Sequence, residues 1–188
     1  MGKLHDDLND TVREFILAQR VFFVGTAPSG PGGHVNVSPK GMDALRVLGP
    51  RRVAYLDYPG SGVETIAHLR TNGRIVLMFC AFEGPPKIVR LYGRGIVIEP
   101  PDESFGELLP LFAQKAHPRS IISVELERIA DSCGYGVPLY EFRGERDQLV
   151  AWSEKKGTEG VEKYQREKNV ESIDGLPGLR WVSEPSVK

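Results

Sequence analysis

A chain of 188 residues with a formal net charge of −1 is long enough for one compact domain, or one domain with an appended segment. Its 40% hydrophobic and 26% charged residues are the proportions of an ordinary water-soluble globular protein. The balanced charge lacks the basic excess that sequence-independent nucleic-acid binding requires, and no apolar run approaches the roughly 20 residues needed to cross a bilayer.

The opening stretch MGKLHDDLND is acidic and polar, unlike a secretory signal, and Asp6 stands where a myristoylation motif wants Ser or Thr. Leu4, Leu8, Val12, Phe15 and Ile16 then recur at three- and four-residue steps, which predicts an amphipathic helix over Lys3–Arg20. VFFVGTA, from Val21, reads as a buried strand. After the PSGPGG loop, HVNVSP sets His34, Asn36 and Ser38 against Val35 and Val37, a strand with one polar and one apolar face. RRVAYLDY is the next strand. A glycine-rich turn, PGSG, leads into a short helix from about Val63 to Thr71, with Ser61 as the expected N-cap. Asn72-Gly73 ends it and RIVLMF follows as a strand. PPKIVRLYGRGIVIE is a long strand in which Gly93 and Gly95 predict a bend or bulge. SFGELLPLF reads as helix and RSIISVELERIADS as strand. SCGYGVPLYEF is an irregular turn before a last short extended piece.

From Gly144 the composition shifts. GERDQLVAWSEKKGTEGVEKYQREKN is highly charged and helix-favouring, broken at Gly157 and Gly160, and its alternating signs describe a solvated face. SIDGLPGLRWVSEPSVK is a Pro/Gly-rich tail with little core to offer. The expected organisation is a barrel with its N-terminal helix over residues 1–143. Residues 144–188 would form a helical extension and tail packed on the barrel or on a partner subunit.

About six strands with connections mostly too short for parallel crossovers predict a mainly β protein, an antiparallel split barrel with short flanking helices. One competitor is a nicotinamide-binding Rossmann unit, because a strand, Gly60-Ser61-Gly62, a helix and a strand imitate its dinucleotide fingerprint. Thr65 in place of the third glycine, the short helix and the strands that precede the unit all count against it. Cys80 and Cys133 lie far apart and the four histidines are scattered, so no metal site is expected. Free thiols in a reducing cytoplasm are the expected setting.

The ordered set HVNVSPKG, YLDYPGSGVETIAHLRTNGRIVLMF and RLYGRGIVI resembles the pyridoxamine 5′-phosphate oxidase-like family, over roughly Val21 to Phe142. The resemblance implies a split barrel that binds FMN between two subunits of a homodimer and acts on a small-molecule substrate, with no nucleic-acid or membrane partner. It places Lys40 beside the flavin ring, with Asn36 and Ser38 on the same polar face; the bland alternative is a solvated lysine in a Pro-Lys-Gly turn. It places the FMN phosphate at the start of the short helix. There GVET replaces the family's usual basic residues, leaving Ser61, Gly62 and Thr65 with the helix N–H groups. Glu64 would oppose a phosphate if it pointed inward. Arg90 is the first choice of counter-charge, ahead of Arg94 and Lys87.

The turn holding Cys133 and Tyr135 has two glycines that would let a backbone approach a planar ligand, or is a tight turn and nothing more. Trp152 is read first as the packing anchor of its helix and second as a cover for the flavin. The expected function is a flavin-dependent oxidoreductase, since neither a nucleophile–base pair nor coupled carboxylates are apparent. A flavin or haem sensor without turnover, and a deazaflavin (coenzyme F420) in place of FMN, are the alternatives of the same fold. Oxidation of pyridoxamine phosphate itself is not expected, because GLPGLRWVSEPSVK lacks that enzyme's C-terminal substrate motif.

Overall fold

The structure, a computed structural model, describes residues 2–113 and 116–183. Met1 of the lipidation motif and positions 184–188 of the tail lie outside it. The described residues hold eight strands and four α-helices. In chain order these are β1 (Leu4–His5), α1 (Asp10–Ala18), β2 (Phe22–Thr26), β3 (Asn36–Lys40), β4 (Leu45–Gly49) and β5 (Arg52–Asp57). There follow α2 (Glu64–Asn72), β6 (Arg74–Cys80), β7 (Ile88–Ile98), α3 (Glu103–Leu108), β8 (Ser120–Ser132) and α4 (Gln148–Lys168).

The strands form one curled sheet in the order β3-β2-β6-β7-β8-β5-β4, with β1 beside the far end of β8. Every ladder is antiparallel. The split barrel is therefore as expected, and the Rossmann reading is overturned. Strands β5 and β6, which flank α2, are not neighbours in the sheet, whereas a βαβ unit needs them parallel in one sheet.

Two strands escaped the sequence. Strand β4 is short and pairs with β5 through a register shift between Val47 and Gly49. Strand β1 was absorbed into the expected first helix. That helix starts at Asp10, seven residues later, capped by Asn9, whose side-chain oxygen accepts from the Val12 N–H at 3.1 Å. Leu4 and His5 pair with Ala130 and Ile129 instead. The extended piece at Leu139–Phe142 is not a strand.

Alternation sorts β5 between two cores. Val53 and Tyr55 enter the main one, with Phe22, Leu77 and Phe79 of the sheet, Val12 and Ile16 of α1, and Ile66 and Leu69 of α2. Ala54 and Leu56 enter a smaller one with Phe105 and Phe112. The bulge falls where the glycines predicted it, as a register shift between Tyr92 and Gly93. A side chain at Gly93 would collide with the Glu125 carbonyl.

The tail corrects the sequence reading. Leu179 and Val182 are buried in the main core. They are held there because Glu99, itself buried, accepts from the Arg180 and Trp181 N–H groups at 3.0 and 3.2 Å. Helix α4 breaks at Gly157 alone (φ 64°, ψ 175°), while Gly160 stays helical. No described helix is long and apolar enough to cross a membrane.

Candidate functional site

Strand β3, the end of β5 and the start of α2 converge on a cavity of about 310 Å³. Strand β3 turns its polar face inward: Asn36, Ser38 and Lys40 line the cavity, while Val35 and Val37 face outward at 75% and 64% exposure. From the other side come Gly60, Gly62, Glu64 and Thr65. The predicted residues Asn36, Ser38, Lys40, Gly62 and Thr65 are thus brought together.

Five others are not among its lining residues. Ser61 is exposed and does not cap α2, whose N-cap is Val63 with no side-chain bond. Its carbonyl oxygen, not its hydroxyl, is engaged, accepting from Asn169 at 3.4 Å. Arg90 sits on the face of β7 opposite Val89 and Leu91, which enter the core, and donates to Ser132 Oγ at 3.1 Å. Period-two alternation carries it away from the cavity. Cys133 and Tyr135 are exposed on a turn where Gly134 (φ 66°) packs against the Lys87 backbone. Trp152 packs edge-on against Tyr164, centroids 5.0 Å apart, across the break in α4 at Gly157.

Two residues that the sequence reading missed organise the site. Asp57 is fully buried, and each carboxylate oxygen holds one cation: Lys40 Nζ at 2.7 Å and Arg119 Nε at 2.7 Å. Burial pushes its carboxyl up, but Arg119 and then Lys40 outweigh burial and hold it at about 2. Burial, and next the Asp57 charge, push the neighbouring Tyr55 hydroxyl up. Arg119 also donates to the Gly60 and Gly62 carbonyls at 3.1 and 2.7 Å. Asn169, from beyond α4, donates to Gly60 O at 2.9 Å. The glycine turn therefore offers its carbonyls to buried donors.

A polar layer backs β3. Asn36 donates to Thr65 Oγ1 at 2.9 Å, Ser38 donates to Asn36 Oδ1 at 3.3 Å, and Thr26 Oγ1 pairs with His68 Nδ1 at 3.0 Å. Burial pushes His68 down, against the opposing pull of Asp174 and Glu64. Neutral His68 suits that buried position.

A signal for Asp57 was present, since an acid within the apolar run of β5 must find a partner. Arg119 gave none. Only the β5–β8 pairing, which sets Asp57 opposite Ser120, carries it there.

The family profile for pyridoxamine 5′-phosphate oxidase matches residues 8–133, from the start of α1 through the end of β8. This chain belongs to that family. It is 38% identical over 196 residues to UstO, a pyridoxamine 5′-phosphate oxidase family protein of Aspergillus flavus, covering 95% of this chain and 78% of that one. Its fold is similar to that of a His-to-Ala variant of HupZ from group A Streptococcus (TM-score 0.55, 20% identity, 66% of this chain and 99% of that one). It is similar also to a candidate pyridoxamine 5′-phosphate oxidase of Lactobacillus delbrueckii (TM-score 0.52, 18% identity, 68% and 98%). At these identities the two structures speak for the fold alone.

Proposed function

We propose that this family member is a small flavin-dependent oxidoreductase, a homodimer that holds its flavin against β3. The observation that carries the reading is the inward polar face of β3. Asn36, Ser38 and Lys40 line a concave site beside Gly60 and Gly62, as a planar ligand with polar edges requires. The residues fit the ring of a flavin. Asn36 and Ser38 offer amide and hydroxyl groups to its polar edge, and Lys40 brings a positive charge that Asp57 fixes in place. When bound, the flavin supplies hydride or electron transfer, while the protein binds it, orients it and tunes its electronics. FMN is the flavin that the family resemblance implies. Its phosphate is not matched at α2, where the two cations lining the cavity are both committed to Asp57.

Val35 and Val37 leave an apolar face on edge strand β3, directly behind the inward polar one. A second copy covering that face would bury it and place a subunit boundary beside the flavin. In the RIVLMF strand, Ile75, Leu77 and Phe79 are already buried within the chain. Sedimentation equilibrium of the flavin-loaded protein is expected to give twice the chain mass. A monomer that still binds flavin would remove the shared-site part of the reading.

Lys40→Met is expected to weaken flavin binding by about 1.5–3 kcal/mol, the loss of a charge-assisted hydrogen bond. It is also expected to lower the reduction potential, because the reduced anion loses its positive neighbour. Fluorescence titration and spectroelectrochemistry measure the two. The absorption spectrum of the purified protein separates flavin from deazaflavin and haem. An unchanged affinity and potential would return Lys40 to a structural role.

A further inference from the structure

The start of α2 is where a bound phosphate would meet unpaired helix N–H groups, and this chain has placed its own carboxylate there. Glu64 is the first residue of α2 and lines the cavity. Its carboxylate lies over Gly62, in the space that a Cβ at position 62 would take. The Ile173 N–H donates to Glu64 Oε1 at 3.4 Å, from the segment after α4 that crosses this end of the barrel.

The cations do not compensate. Lys40 and Arg119 both hold Asp57, so two positive charges face two carboxylates and the cavity carries no net positive charge. The Gly60, Ser61 and Gly62 carbonyls accept from Arg119 and Asn169, which ties both donors to the glycine turn. A dianion seated here would meet a carboxylate in a partly desolvated site, where like-charge repulsion is weakly screened. A hydroxyl would instead find a strong acceptor in Glu64.

We infer that Glu64 sets ligand specificity at the α2 end of the cavity, accepting hydrogen bonds from polyol hydroxyls and rejecting a terminal phosphate, so that the chain takes riboflavin in preference to FMN. The inference rests on the flavin reading above and names which flavin that site selects. Ser38 and Lys40 remain available to the ring in either ligand, so the discrimination belongs to the α2 end.

Dissociation constants for riboflavin and FMN, measured by flavin fluorescence quenching on wild type and Glu64→Gln, test it. Wild type is expected to bind riboflavin more tightly than FMN. Glu64→Gln, which keeps the shape and removes the charge, is expected to shift the ratio of the two constants about tenfold toward FMN. Tighter binding of FMN by wild type overturns the inference and leaves the flavin reading standing, and it does so whether or not the variant folds. A wild-type preference for riboflavin that Glu64→Gln leaves unchanged overturns the role of Glu64. Binding of neither ligand to wild type takes down the flavin reading and this inference with it.

Discussion

Asp57→Ala is expected to destabilise the protein by about 3–5 kcal/mol, the usual cost of stranding buried charges without their partner. Asp57 is wholly buried, and removing it leaves the Arg119 guanidinium, 6% exposed, and the Lys40 ammonium, 18% exposed, facing each other. The net worth of the intact triad is a separate quantity, because desolvating three charges offsets most of their attraction. Replacing all three together, as Asp57→Leu with Lys40→Met and Arg119→Met, should therefore recover much of the loss in stability while flavin binding stays weakened. Urea unfolding of the single and triple variants separates stability from site. A single variant within 1 kcal/mol of wild type would show that the two cations reach water on their own.

The same triad fixes a pH dependence. The folded carboxyl titrates at about 2, below the ordinary value of about 3.9 in an unfolded chain. The folded state therefore holds the proton less readily than the unfolded one. Its stabilisation is complete above about pH 4 and is lost as the pH falls through about 2. Other carboxylates contribute to acid unfolding as well, so the informative quantity is the difference between wild type and Asp57→Asn. That difference should shrink between pH 4 and 2. Parallel curves for the two proteins would mean that Asp57 is not held ionised by Arg119 and Lys40.

Local pattern carried the interior of the barrel well. The alternation in HVNVSP placed Asn36 and Ser38 on one face, and that face does line the cavity. Gly93 marked the bulge because no side chain fits against β8 there. The failures share a cause. Strand β1 has only two residues, and nothing in Leu4-His5 states that β8 runs past β5 and leaves Ile129 and Ala130 to be paired. Arg119 and Asp57 are 62 positions apart, and their meeting depends on strand order, which periodicity does not encode. Arg90 failed on direction: a strand's sequence gives two faces but does not say which face meets the cavity. Glu64 was legible as a residue that would repel a phosphate if it turned inward, and it lines the cavity.

Leu179→Ala is expected to cost about 2–5 kcal/mol, the range for emptying a core position. The prediction is sharp because composition argues the opposite. The tail is rich in Pro and Gly, and such a segment ordinarily stays outside the cooperative unit. Here its backbone is held at several points. Leu179 N–H donates to Asn169 O at 2.9 Å and Gly178 N–H to Val170 O at 2.7 Å, while Glu99 takes the next two N–H groups. Those bonds set the direction in which Leu179 enters the main core, where it is 1% exposed. Ile173, in the same tail but 70% exposed, supplies the contrast, and Ile173→Ala should change stability by less than about 0.5 kcal/mol. The loss at Leu179 should also reach the cavity, because Asn169 and Ile173 belong to the segment that this anchor secures against the glycine turn and Glu64. Leu179→Ala is thus expected to weaken flavin binding although its side chain does not line the cavity. Urea unfolding followed by tryptophan fluorescence, with flavin titration on the same samples, measures both effects. A cost below 1 kcal/mol would show that the barrel closes without its tail.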